Sequence, residues 1–259
     1  MSRSLLKGLA RAILPASAGR AISLYRHARY NSDGILTTHI PVFLDDPKFK
    51  ESYALGAALG SWKQESIEWR AYTCCWAASK AAALDGDFVE CGVWRGGVSR
   101  IVIDYVGFEK LSKKFYLLDT FEGLDIDLLN SDESVSKAKT WNKALYDPSV
   151  KENRFESVRE TFAQFPNVEL IKGRIPESLS NVKSEQIAYL SIDMNNAAPE
   201  IAAAEFFWPK MVSGGVIVHD DYAYGQEYAA QRIAFDKFAA ERGVAVLNMP
   251  TGQGLIIKP

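Results

Sequence analysis

Residues 87–99 restrict this chain to few folds: Asp87-Phe88-Val89-Glu90-Cys91-Gly92-Val93-Trp94-Arg95-Gly96-Gly97-Val98-Ser99. Phe88 to Val93 reads as a short buried strand carrying an acid and a glycine. Past Gly96 and Gly97, the apolar residues Val98, Ile101, Val102, Tyr105 and Val106 recur at helical spacing, and Gly107 ends the segment. A strand that turns on glycines into a helix N-terminus makes a ligand cradle, because the backbone can come close and the helix end offers N–H groups. The spacing here is Gly-x-x-x-Gly-Gly, not the Gly-x-Gly-x-x-Gly of dinucleotide enzymes. An acid on the strand side of the turn suits a cationic ligand better than a pyrophosphate.

Phe115-Tyr116-Leu117-Leu118 is a second buried strand, with Asp119 at its carboxyl end. An acid at that place commonly takes the ribose hydroxyls of an adenosine-bearing cofactor. Either feature alone is read more readily as plain chain reversal. In register within one βαβ unit, the two point to an adenosine cofactor.

At 259 residues the chain is long enough for one large α/β domain with an extension. Its apolar share of 47% can build a core, and a net charge of −2 gives no global attraction to nucleic acid. Cys74, Cys75 and Cys91 form no Cys-x-x-Cys, so reduced core thiols in a cytoplasmic protein are expected. No apolar run approaches the ~18 residues of a membrane span.

Residues 1–30 carry Arg3, Lys7, Arg11, Arg20, Arg26 and Arg29 with no acid, and Leu5, Leu6, Leu9, Ile13 and Leu14 at helical spacing. A basic amphipathic helix can lie on an anionic membrane surface, or pack on its own domain or a dimer mate. Residues 31–46 read as irregular. Asp46-Pro47 fits an N-cap and first helical position, opening a helix to about Leu59. The next helix, about Glu65 to Ala83, has the stripe Ile67, Ala71, Cys74, Cys75, Ala78 and Ala82. After Asp119-Thr120, a polar stretch of about 124–153 is too long for an ordinary βα loop and reads as a lid, anchored by Trp141 and Tyr146. A helix near Phe155 to Phe165 precedes a third strand, Val168 to Ile171. Gly173 and Arg174 lie just past its end, where an adenine can be held.

Ile187 to Ile192, the fourth strand, runs into Asp193-Met194-Asn195-Asn196, and a helix starts at Pro199. Val216 to Val218, the fifth, runs into His219-Asp220-Asp221. A helix from about Gln226 to Glu241 and a closing hairpin complete the chain. Ligands in open parallel sheets gather at the carboxyl ends of neighbouring strands, so Asp193, Asp220 and Asp221 should converge. Two unit charges ~4 Å apart at an effective dielectric of ~20 repel by about 4 kcal/mol. The adjacent sequence offers no lysine or arginine, so a hard divalent ion such as Mg²⁺ is the expected partner. The bland alternative is that one or more acids cap the following helix. His219 is expected to pack beneath the site.

The stretches Phe-Val-Glu-Cys-Gly-Val-Trp-Arg-Gly-Gly at 88–97, Leu-Asp-Thr-Phe-Glu-Gly-Leu at 118–124 and Gly-Gly-Val-Ile-Val-His-Asp-Asp-Tyr at 214–222 resemble the macrocin O-methyltransferase (TylF-like) family. The resemblance runs from about residue 65 onward. It implies a Rossmann-like class I methyltransferase fold: a seven-stranded, mostly parallel sheet with a C-terminal antiparallel hairpin, here with an N-terminal helical extension. Residues 1–50 would be that extension and 51–259 the methyltransferase domain. It also implies S-adenosylmethionine, a divalent metal and sugar-hydroxyl acceptors. The residues expected to bind the cofactor are Glu90, Gly92, Gly96, Ser99, Asp119, Thr120, Gly173, Arg174 and Asp193. Asp193, Asp220 and Asp221 would hold the metal, and Asp193 and Asn195 would act on the acceptor. Many relatives carry a second acid where this chain has Asn195, which leaves the general base open. In the family the N-terminal region helps form the substrate site and a homodimer. The rival expectations are an NAD-dependent oxidoreductase and a cofactor-binding scaffold without catalysis.

Overall fold

The computed structural model describes residues 16–62, 66–124, 126–128, 139, 142–143 and 153–259. The sheet is built from β3 (Asp87–Cys91), β4 (Phe115–Asp119), β5 (Val168–Lys172), β6 (Ile187–Ile192), β7 (Met211–His219), β8 (Leu247–Asn248) and β9 (Gly254–Ile257). A separate small hairpin holds β1 (Tyr30–Ser32) and β2 (Ile35–Thr37). The spatial order is β5-β4-β3-β6-β7-β9-β8, parallel from β5 through β7 and antiparallel at β7–β9 and β8–β9. The order reverses between β3 and β6, which places a crevice at their carboxyl ends.

The longer helices among the described residues are α1 (Ala16–His27), α2 (Pro47–Ala57), α3 (Glu68–Ala82), α4 (Gly97–Val106), α5 (Arg154–Phe162), α6 (Ala197–Phe207) and α7 (Ala229–Glu241). Alternation along the strands supplies both faces of the core. Val89, Cys91, Leu118 and Leu190 pack with Phe207 of α6 and with Phe235 and Phe238 of α7. Phe88, Leu117, Tyr189 and Val218 pack on the other face with Ala78 of α3, Val102 of α4 and Phe162 of α5. Phe43 and Phe49 make a third cluster with Ala71, Cys75 and Ile101, which ties residues 42–57 to this layer.

The structure departs from the sequence reading in several places. Residues 31–46 are not irregular. Asp33 and Gly34, at φ 49° and 72°, make a tight two-residue turn between β1 and β2, and Val42–Asp45 is a short 3-10 helix. Three-residue strands are too short for alternation to reveal. β7 starts at Met211, earlier than expected, with a register shift against β6 between Ile187 and Tyr189. By contrast, Asp46 caps α2 as expected, accepting from Lys48 N at 3.0 Å. Residues 1–15 and most of the stretch 124–153, including Trp141 and Tyr146, lie outside the described residues. Among the described residues, no helix is long and apolar enough to cross a membrane.

Candidate functional site

A cavity of about 390 Å³ opens at the carboxyl ends of β3, β4, β6 and β7. Glu90, Gly92, Asp119, Thr120, Gly173, Asp193, Asn195, Asp220 and Asp221 all line it. Gly96, Ser99 and Arg174 do not. A Cβ on Gly96 would lie 2.5 Å from the Phe162 ring, so that glycine makes room for α5 rather than for a ligand. Ser99 is buried, and Arg174 pairs at 3.7 Å with Asp127.

Asp119 shapes the turn after β3. Its Oδ2 accepts the N–H groups of Val93 and Trp94 at 2.7 and 2.8 Å, and its Oδ1 that of Phe121 at 2.6 Å. A carboxylate has about four lone-pair positions, and the fourth faces the Thr120 hydroxyl at 3.5 Å. That hydroxyl has one proton and a shorter bond to the Gly123 carbonyl at 2.9 Å, so the position can take a ligand hydroxyl. Gly92, at φ 91°, lets the turn cross the loop after β6, where a side chain would meet the Asp193 carbonyl. The first N–H of α4, on Gly97, donates to Ser61 Oγ at 3.1 Å, so this helix end is partly occupied by the protein itself.

Glu90 is 3% exposed, and its Oε2 accepts no hydrogen bond from the described residues. Burial pushes this carboxyl up to about 8, with added pressure from Asp220 and Asp119. Asp193, Asp220 and Asp221 each offer an oxygen within 4.8 Å of the others. Burial, then Asp220 and Asp221, hold the Asp193 carboxyl well above the carboxylate range. Asn195 Nδ2 donates to Asp193 Oδ1 at 3.1 Å, and its Oδ1 accepts from the Tyr228 hydroxyl at 3.3 Å. Beneath them Glu200 is fully buried. One of its oxygens takes the N–H groups of Met194 and Asn196 at 3.1 and 3.3 Å, and the other lies 2.9 Å from His219 Nε2. His219 stacks on Phe235 under the cluster, the packing role expected of it.

The expected absence of a basic partner is corrected by Arg70. This residue of α3 pairs through Nη1 with Asp220 Oδ2 across 150 positions of sequence, and it also reaches Asp33. Burial alone would lower its proton affinity, but Asp220 and Asp33 outweigh that and hold it protonated. Gln253, from the closing hairpin, donates to Asp220 Oδ1 at 2.9 Å. Sequence reading missed Asp33, Arg70, Glu200 and Gln253. Two signals were present: an Asp-Gly pair ahead of Ile35, and an arginine inside the apolar stripe between Ile67 and Cys74. Asp33, Trp94 and Asn195 are non-glycine residues with left-handed backbone, and all three line the cavity.

Among solved structures, the chain resembles the O-methyltransferase NovP, with a TM-score of 0.58 at 19% identity over 73% of this chain and 79% of that one. It also resembles an O-methyltransferase from Bacillus cereus in complex with SAH, with a TM-score of 0.53 at 14% identity over 83% and 96% of the two chains. These likenesses show the class I, Rossmann-like methyltransferase fold. A curated relative from Streptomyces olivaceus, 8-demethyl-8-(2,3-dimethoxy-alpha-L-rhamnosyl)-tetracenomycin-C 4'-O-methyltransferase, is 27% identical over 152 residues. That match spans about half of each protein, 55% in both cases. The model of the macrocin-O-methyltransferase (TylF) family matches residues 70–249, well over half of the 259, and the chain belongs to that family.

Proposed function

We propose that this protein transfers a methyl group from S-adenosylmethionine to a hydroxyl of a sugar or glycosylated acceptor, with a divalent cation held by Asp193, Asp220 and Asp221. One observation carries the reading: a single cavity joins the Glu90–Asp119 lip to a three-carboxylate cluster. The rhamnosyl acceptor in the Streptomyces olivaceus relative's name and the SAH in the Bacillus cereus complex point the same way.

The residues present fit both groups. A buried carboxylate with an unfilled oxygen suits a cofactor that carries positive charge, and Asp119 keeps about one acceptor position for a ribose hydroxyl. Three clustered carboxylates are hard oxygen donors of the kind Mg²⁺ takes. When ionised, they keep a net negative charge even beside Arg70.

The bound cofactor supplies an electrophilic methyl group, and a bound divalent ion lowers the pKa of a neighbouring hydroxyl. Everything else falls to the chain. Glu90 and Asp119 orient the cofactor from β3 and β4. Asn195 holds Asp193 by one oxygen, leaving the other for the acceptor side. Arg70 of α3 and Asp33 of the β1–β2 turn form part of the cavity wall. Fixing two reactants in line within one cavity can contribute ~7–11 kcal/mol. Residues 1–30 are read as an assembly element, so deleting them should convert a dimer to a monomer, and a monomeric full-length protein would refute that.

Purified protein given labelled S-adenosylmethionine and a sugar-acceptor extract should transfer label, lose that activity in EDTA and regain it with Mg²⁺. Asp220→Asn should lower turnover far more than affinity for S-adenosylhomocysteine. Binding of NAD in place of S-adenosylhomocysteine would favour an oxidoreductase. Full transfer in excess EDTA, with no metal found by elemental analysis, would sink the cation.

A further inference from the structure

Arg70 takes no part in the transfer set out above, yet it occupies the acid cluster. Its side chain is buried between two carboxylates, with Nη1 on Asp220 Oδ2 and with Nε and Nη2 at 3.3 and 3.4 Å from Asp33 Oδ2 and Oδ1. Nη2 also lies 3.5 Å from the Thr251 carbonyl oxygen, and the Tyr224 ring lies 4.5 Å from the guanidinium carbon. Asp220 is thus shared between a fixed cation and any ion the three acids take up.

A guanidinium and a divalent cation on one carboxylate repel each other, more strongly away from bulk water. Asp33 offers a second berth. It already presents both oxygens to Arg70, and paired contact is the stronger arginine–carboxylate geometry. We propose that Arg70 is an internal competitor for the cation site, paired with Asp220 when no cation is bound and transferred onto Asp33 when one is. The proposal rests on the divalent-cation reading of the three acids. Because Asp33 sits in the β1–β2 turn and lines the cavity, the exchange couples cation occupancy to the cavity wall.

The expected signature is a pair of opposite effects on cation affinity. Chelator-stripped full-length protein is titrated with Mn²⁺ by calorimetry, and S-adenosylhomocysteine binding in each variant reports an intact fold. Arg70→Met, which removes the competitor and keeps the bulk, should tighten Mn²⁺ binding by about tenfold, within the usual range for coupled sites. Asp33→Asn should weaken it by about tenfold, since Arg70 then has only Asp220. Asn tolerates the left-handed backbone of the turn, so this variant tests the idea even if Arg70→Met does not fold. Unchanged or weaker binding in Arg70→Met, or unchanged or tighter binding in Asp33→Asn, overturns the proposal and leaves the cation reading standing. Failure of both wild type and Arg70→Met to bind Mn²⁺ defeats the cation reading, and the proposal with it.

Discussion

A Cβ placed on Gly92 would lie 1.7 Å from the carbonyl oxygen of Asp193, on the neighbouring strand end. The glycine turn after β3 and the acid loop after β6 are therefore packed backbone to backbone, and neither can shift without the other. Gly92→Ala should abolish stable folding, because a left-handed φ and a collision with backbone act together. Gly34, also left-handed but with nothing within 4 Å of its would-be Cβ, is the control. Its alanine variant should lose only about 1–2 kcal/mol. Similar urea midpoints for the two variants would contradict this account.

Asp119→Ala should do more than weaken the cofactor. It strips the acceptor from three N–H groups, on Val93, Trp94 and Phe121. An unsatisfied buried donor costs about 1–3 kcal/mol, so the ligand-free variant should unfold at clearly lower denaturant than the wild type. Lost affinity with unchanged stability would mean that Asp119 serves the ligand alone.

The buried Glu90 carboxyl should make both stability and ligand binding depend on pH. In the free protein burial keeps it protonated up to about 8, whereas an unperturbed Glu titrates near ~4.3. Folding thus takes up a proton: the stability this brings is full below about pH 4.3 and is lost as pH rises through about 8. Glu90→Gln removes that slope. A cationic ligand favours the carboxylate, so binding of S-adenosylmethionine at pH 7 should expel the proton. Calorimetry in two buffers of different ionisation enthalpy reads this directly, and equal heats in both would refute it.

Glu200→Ala should cost about 3 kcal/mol or more. It orphans two loop N–H groups and removes the partner of His219 in one step. The acid loop should loosen with it, so Mn²⁺ affinity in the folded fraction should fall in parallel. A stable variant with unchanged Mn²⁺ affinity would show that the loop holds its shape unaided.

What the sequence made legible was local. The turn at 92–97 and the Asp119 strand end could be read because each lies within a dozen residues of its own periodic segment. Asp193 and the Asp220-Asp221 pair followed because they trail two largely apolar strands, and parallel strands bring such ends together. The pairs that bridge distant segments were not legible. Arg70 meets Asp220 at a separation of 150 residues, and no local pattern encodes that meeting. Ser99 shows a different failure. Its place beside the glycine turn suggested a ligand contact, but it lies on a buried face of α4 and does not line the cavity.

Asp220 receives Arg70 from early in the chain and Gln253 from late in it. During synthesis, then, all three acids exist before the second clamp on Asp220 has been made. At ribosomal rates of about 5–20 residues per second, the gap of 33 residues between Asp220 and Gln253 lasts roughly 2–7 s. Through that interval Asp220 can meet Arg70 but not Gln253, and the β7 edge lacks β9. The acid cluster thus gains this side-chain partner only once the closing hairpin has been made.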